Sequence, residues 1–219
     1  MTTRILATGF SAFPRAPVNP TEVLMAMLDA APPRLGIDVQ LMTSVLPVEY
    51  GRAPELLAEI GRDFKPDIAV HFGLADTARG FRLETTARNR SSLLAADAAG
   101  RLPAALRICP GPNTLRSGLP LEDIGQALTA KRLPVQVSGN AGAYLCNHVF
   151  YLSRSGHVAD FVPSMSGFVH VPFLDEQLSA IDPERAARLF SLTRNQLLDG
   201  SVAILECCVN AHLGRFSPH

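Results

Sequence analysis

Short apolar runs alternate along this chain with stretches in which apolar residues recur every three or four positions, the patterns of buried strands and amphipathic helices. Arg4–Thr8 is the first apolar run and ends in the turn-rich segment Gly9–Pro20. A helical stretch follows over Thr21–Leu28, with Glu22 in its first turn favouring the start. Val39–Leu46 suits a second strand, and Arg52–Phe64 spaces Leu56, Leu57 and Ile60 for one buried helical face. Lys65-Pro66-Asp67 stops that helix, and Ile68–Phe72 is the uninterrupted apolar run of a central parallel strand. From Leu74 to Leu119 the pattern loosens: Phe81, Leu83 and Thr85 alternate as in a strand, then Gly, Pro and Ala dominate. Leu121–Lys131 reads as a helix, Val135–Ser138 as a strand, and a further helix opens near Cys146. Gly167–Val171 is a strand closed by Pro172, and Thr193 and Gln196 have capping-box spacing at the start of a last helix running towards Leu213. This alternation predicts an α/β fold, three layers (α/β/α) around a twisted, mostly parallel central sheet. With no repeat and no linker, residues 1–219 are expected to form a single domain.

Composition narrows the function. The chain is 47% hydrophobic and 18% charged, as suits a well-packed globular enzyme. Its 20 basic and 20 acidic residues cancel and form no blocks, so the basic face required for nucleic-acid binding is missing. No apolar run approaches the roughly 20 residues that span a bilayer, and Met1–Leu6 reads straight into a strand without a signal-peptide pattern. Four irregularly spaced cysteines build neither a disulfide framework nor a Cys-x-x-Cys metal site. The expectation is a cytoplasmic protein with reduced thiols, without metal or cofactor.

Candidate chemistry concentrates at Gly139-Asn140-Ala141-Gly142-Ala143-Tyr144-Leu145-Cys146-Asn147-His148. A glycine-containing turn feeds an apolar helix, and Cys146 falls in its first turn, where a helix N-terminus favours the thiolate. In open α/β sheets functional residues gather at strand carboxyl ends and adjoining helix starts. His170, at the end of Gly167–Val171, and Glu84, on the alternating segment after Ile68–Phe72, fit the same geography. Thiol, imidazole and carboxylate are the parts of a cysteine hydrolase. The residues alone leave a second reading open, in which Cys146 and His170 are core residues and Glu84 pairs with Arg82 or Arg88 at the surface. His148, two positions from Cys146, projects about 200° away on a helix, which suits a capping or packing role. His71, ending a buried strand, is expected in the core or supporting the site from behind.

Four blocks in order make the chain resemble the pyroglutamyl peptidase I (pyrrolidone-carboxylate peptidase) family of cysteine peptidases. They are Thr8-Gly9-Phe10-Ser11-Ala12-Phe13 with Asn19-Pro20-Thr21; Lys65-Pro66-Asp67 with Phe72-Gly73-Leu74-Ala75, continuing to Glu84 and Asn89; Ala141-Gly142 through Cys146-Asn147-His148 to Tyr151; and Gly167-Phe168-Val169-His170-Val171-Pro172-Phe173-Leu174. The resemblance implies Cys146 as nucleophile, His170 as general base and Glu84 as orienting carboxylate. It implies N-terminally blocked peptides as substrates, cleaved through a thioester acyl-enzyme without cofactor. Phe10 and Phe13 match the aromatic pair that holds the lactam ring, and Asn19 and Leu74 fall at further substrate-binding positions. A homodimer or homotetramer is implied as well.

The departures cluster on the substrate side. Pro14-Arg15 replaces the usual Gly-Gly, Leu74 stands where the family commonly carries Gln, and Asp76-Thr77-Ala78 replaces glycines. Thr85 replaces the usual Arg after Glu84. An Arg expected to support the acyl site is replaced near Leu93 or Leu94, with Arg79, Arg88 and Arg90 as candidates to compensate. The alternative function is therefore a catalytically weak relative that binds a small lactam or a peptide N-terminus.

Overall fold

A computed structural model describes residues 2–13 and 16–214. Pro14 and Arg15, which mark one of the departures above, and His219 lie outside the described residues. Elements follow in the order β1 (Thr3–Phe10), α1 (Pro20–Ala30), β2 (Val39–Leu46), α2 (Arg52–Asp63), β3 (Ile68–Leu74), β4 (Phe81–Glu84), β5 (Thr86–Arg88), β6 (Thr114–Arg116), α3 (Leu121–Ala130), β7 (Val135–Ser138) and α4 (Leu145–Ser155). The chain closes with β8 (Met165–Val171), β9 (Phe173–Leu174), α5 (Asp175–Leu178), α6 (Pro183–Ala186), β10 (Ser191–Leu192) and α7 (Arg194–Gly214).

Six strands form the central sheet in the order β2-β1-β3-β8-β4-β7. All neighbours run parallel except β4 and β8, which are antiparallel. The apolar run of β3 is buried from Ile68 to Gly73, as expected for a strand covered on both faces. One apolar core packs α1, α3 and α7 against the sheet and includes Leu24, Leu28, Ile124, Leu128, Ile204 and Leu205. The second lies under α2 and α4 and includes Leu57, Ile60, Leu145, Val149, Phe150 and Phe168.

Local chemistry sets the helix ends that matter for the site. Asn19 caps α1 by accepting from the Thr21 N–H at 3.1 Å, with Pro20 at the first helical position, where no N–H is required. The capping box read at α7 is formed in both directions. Thr193 N donates to Gln196 Oε1 at 2.9 Å, and Gln196 N donates to Thr193 Oγ1 at 3.1 Å. α4 ends on Gly156 at φ 68°, a left-handed position that glycine takes without steric cost.

The long segment between β5 and β6 has little regular structure, and one buried side chain organises it. Asn89 Oδ1 accepts from Ile108 N and Cys109 N at 2.9 and 3.3 Å, while its Nδ2 donates to the carbonyls of Cys109 and Pro112. A side-chain amide thus satisfies backbone groups that no ladder serves.

Candidate active site

β7 delivers the chain into a loop that turns at Gly142, φ 83°, with Gly142 N donating to Asn140 Oδ1 at 3.2 Å. That turn places Tyr144 at the N-cap of α4 and Cys146 in the first turn, as the sequence predicts. The first bond of the helix runs from His148 N to Tyr144 O at 3.0 Å. Tyr144 makes no capping bond with its side chain. The N–H groups of Leu145, Cys146 and Asn147 belong to the first turn, which has no intrahelical carbonyl to bond, and there a developing negative charge would be stabilised.

Asn147 fixes this helix to the neighbouring strand. Its Oδ1 accepts from Arg88 N at 2.8 Å, and its Nδ2 donates to Arg88 O at 2.7 Å and Arg90 O at 2.9 Å. The side chain is fully buried, so all three bonds matter for stability. His148 points to the other side, as expected from the helical angle. It is buried, 3.3 Å from Ser91 Oγ through Nδ1 and edge-on to Tyr50 at 5.3 Å, and it borders a cavity of about 330 Å³ on the far side of α4 from the thiol. It plays the packing role.

Close approach of helix and sheet sets the thiol against β3, the strand paired with the one that carries the imidazole. Gly73 pairs in register with His170 across β3 and β8. A Cβ at Gly73 would stand 3.0 Å from Cys146 Sγ and 2.7 Å from Phe168 Cζ, so only glycine leaves room for the thiol there. His170 is buried, and its Nδ1 lies 2.8 Å from Glu84 Oε1. Because an ionised carboxylate only accepts, Nδ1 carries the proton, and Nε2 keeps its lone pair. Glu84 reaches His170 diagonally across the antiparallel β4–β8 pair, in which Arg82 is the residue directly opposite.

The electrostatics suit a neutral resting pair. Burial and the Glu84 charge push the Cys146 thiol up to about 12, against the smaller downward pulls of Arg82 and its own backbone N–H. Burial lowers His170; the Glu84 bond and charge act against this, Arg82 adds to it, and the net direction is down. For Glu84, burial acts upward but is outweighed by the bond and charge of His170, the neighbouring Ser138 hydroxyl and Arg82. Glu84 is held ionised while thiol and imidazole stay uncharged.

Arg82 belongs to this constellation. Its Nε donates to Glu84 Oε1 at 2.8 Å, and Nη1 donates to Thr77 Oγ1 at 3.0 Å. Nη2 stands 3.3 Å from His170 Nδ1, which is a close approach and not a bond, because Nδ1 already donates to Glu84. The surface pairing of Glu84 with an arginine, weighed from sequence, is thus a buried contact inside the site. The signal was present as Arg82 and Glu84 alternate onto one strand face. Of the arginines considered as compensators, Arg79, Arg88 and Arg90 are all exposed, and Arg88 Nη2 donates to Gly139 O at 3.3 Å on the loop leading to Cys146. Leu93 and Leu94 are exposed as well.

Of the expected substrate-binding residues, Phe10 joins the aromatic cluster at the site. Its ring centroid is 6.3 Å from that of Phe168, which is 4.8 Å from His170. Phe13 is half-buried against the same core and bridges backbone to backbone with Ala16. Asn19 spends its side chain on the protein: Oδ1 accepts from Thr21 N and Thr21 Oγ1, and Nδ2 donates to Ser11 O. Its place is to brace the loop that carries Phe10 and Phe13. Leu74 ends β3, half-buried, opposite Val171. His71 is buried between Thr8 Oγ1 at 2.8 Å and Ser153 Oγ at 2.9 Å, with its ring 6.4 Å from that of Phe168. It supports the site from behind.

The profile of the pyroglutamyl peptidase family matches residues 3–209. The pyrrolidone-carboxylate peptidase of Pyrococcus furiosus is 38% identical over 176 residues, covering 80% of this chain and 83% of that protein. The protein of the same name from Cupriavidus pinatubonensis is 33% identical over 192 residues, covering 87% and 88%. Among solved structures, the pyrrolidone carboxyl peptidase of Fervidobacterium islandicum is similar with a TM-score of 0.85 at 32% identity, covering 94% of this chain and 97% of that one. A single-residue variant of the Pyrococcus furiosus enzyme also gives 0.85 at 32% identity, covering 96% and 100%.

Proposed function

The chain belongs to the pyroglutamyl peptidase family of cysteine peptidases, and we propose that it removes an N-terminal pyroglutamyl residue from peptides, with Cys146 as nucleophile, His170 as general base and Glu84 as the carboxylate that orients the ring. The observation that carries the assignment is the buried bond between His170 and Glu84, with the thiol packed on the strand beside His170. His170 is bonded to Glu84 at 2.8 Å, and Cys146 Sγ is seated against Gly73, the register partner of His170. The substrate side follows from Phe10 and Phe13, whose aromatic surfaces suit a flat, uncharged lactam ring, while Asn19 and Leu74 shape the loop and the strand end around it.

Each step has a residue to perform it. His170 Nε2 takes the thiol proton as Sγ bonds to the scissile carbonyl carbon, and the carbonyl π electrons move to oxygen. The first-turn N–H groups of α4 stabilise that oxyanion. The tetrahedral intermediate collapses, the C–N bond breaks, and the departing amine takes its proton from Nε2. This leaves a thioester on Cys146. A water then gives a proton to Nε2 and attacks the thioester, and the proton returns to sulfur as free 5-oxoproline leaves. Starting from a neutral pair, the thiol is activated during attack and not beforehand. Glu84, held ionised, stabilises the imidazolium as it forms.

The enzyme works as a single catalytic domain over residues 1–219, since strands from both halves of the chain share one sheet. Among the described residues no helix is long and apolar enough to cross a membrane. We place it in the cytoplasm, where its four free cysteines stay reduced, and we propose assembly as a homodimer or homotetramer. A binding-only relative is disfavoured by a site that keeps all three catalytic groups. The test is turnover of a chromogenic pyroglutamyl amide: the wild type releases the chromophore and Cys146→Ser does not. Activity that survived loss of the thiol would refute the assignment.

A further inference from the structure

We propose that Arg82 is a positioning residue of this site: its guanidinium clamps Glu84 against His170 and keeps the imidazole uncharged until the thiol proton arrives. The inference rests on the acyl-transfer reading given above. Glu84 Oε1 is shared by Arg82 Nε and His170 Nδ1, each at 2.8 Å. Its other oxygen, Oε2, is buried without a hydrogen bond among the described residues. The hydroxyl of Ser138, the residue opposite Glu84 on β7, is turned to the Asn140 backbone. The bonds from the cation and from the imidazole therefore both fall on a single carboxylate oxygen.

The consequences of this sharing are opposite for the two reacting groups. A guanidinium Nη2 at 3.3 Å from Nδ1 repels the imidazolium but attracts a thiolate. Arg82 accordingly lowers His170 and lowers Cys146, while Glu84 acts the other way on both. Proton transfer from Sγ to Nε2 meets a base whose net shift, from burial and Arg82 against Glu84, is downward. The guanidinium keeps its position because Nη1 is anchored to Thr77 Oγ1 at 3.0 Å, on the turn after β3. Thr77 is one of the residues by which this chain departs from the glycine-rich turn expected from the resemblance.

Among the described residues, the charged and titratable groups around the ring are few. From β4 they are Arg82 and Glu84, and from α4 Cys146. His71 on β3 lies behind Phe168 and is itself held uncharged by burial. On the turn after β3, Asp76 is engaged 3.7 Å from Arg185 and Arg79 is exposed. β7 offers only the Ser138 hydroxyl. Among the described residues, Arg82 is the cation that acts on both reacting groups.

The experiment follows the ring carbon–proton signal of His170 through a pH titration in Cys146→Ser protein, identified by its loss in His170→Asn. This readout needs no turnover. Adding Arg82→Met should raise the titration midpoint by about one pH unit, and Arg82→Lys, which keeps the charge, should restore most of the shift. In active protein Arg82→Met should move the acid limb of kcat/KM upward by a similar amount, with the loss in kcat and little change in KM. Thr77→Val, which removes only the anchor, should give a smaller shift in the same direction and serves if Arg82→Met does not fold. An unchanged midpoint in both variants overturns the proposal. Absence of turnover by the wild type would instead strike the acyl-transfer reading, whatever the midpoint does.

Discussion

Acidification from about pH 7.5 to about pH 5.0 should cost the protein at least about 4 kcal/mol of stability, because two buried imidazoles beside the catalytic one refuse a proton that the unfolded chain accepts. His71, enclosed between Thr8 and Ser153, is held down to about 3 by burial, and His148, enclosed between Ser91 and Tyr50, to about 4. In the unfolded chain both titrate near 6.5, so below that pH the unfolded state binds more protons than the folded state, and stability falls as pH falls. At about pH 5.0 each histidine is roughly 1.5 units below its unfolded midpoint, worth about 2 kcal/mol apiece. Folded and unfolded forms both leave the two rings neutral above about pH 7.5, and no cost remains there. Urea unfolding at constant ionic strength and protein concentration across this range measures the loss. His148→Gln should remove about 2 kcal/mol of the loss, whatever it does to stability at neutral pH. A wild-type loss below about 1 kcal/mol, or a slope unchanged in the variant, would refute the reasoning.

Three substitutions test the geometry of the site. Gly73→Ala puts a Cβ 3.0 Å from Cys146 Sγ and 2.7 Å from Phe168 Cζ, and should lower kcat at least tenfold at an overpacking cost of about 1–3 kcal/mol, read by steady-state kinetics beside thermal unfolding. Asn147→Ala strands the Arg88 N–H and the carbonyls of Arg88 and Arg90, and should destabilise the protein by about 3 kcal/mol in urea unfolding. Glu84→Gln keeps the shape but removes the charge that supports the imidazolium, and should reduce kcat by at least about a hundredfold with KM less affected. It should also abolish the stability that an ionised Glu84 contributes above the ordinary carboxylate range, which the wild type loses as pH falls through the lowered value.

Much of this architecture is legible in the residues because period and punctuation coincide. The apolar run Ile68–Phe72 is typical of a covered strand, and the Thr193–Gln196 box marks the last helix because two side chains and two backbone groups satisfy one another. The reversal of β4 is not written in any period, since alternation along Phe81–Glu84 is the same in either direction. That reversal decides the site: it sets Arg82, and not the end of the strand, opposite His170. The segment after β5 is opaque for another reason. Asn89 and Asn147 carry its backbone bonding through side-chain amides, and such bonds have no period to detect. The motifs marked Cys146, His170 and Glu84. Gly73, which makes room for the thiol, and Arg82, which shares the carboxylate, emerge only when strands lie side by side.

The most direct test of the central claim is to catch the acyl group on sulfur. A pyroglutamyl amide mixed with the enzyme, quenched in acid within the first turnover and digested, should yield the Cys146 peptide carrying one added pyroglutamyl group. Hydroxylamine should remove it, as expected of a thioester, and His170→Asn should not form it. Turnover of the amide with no label on Cys146, or with the label on another residue, would contradict the account.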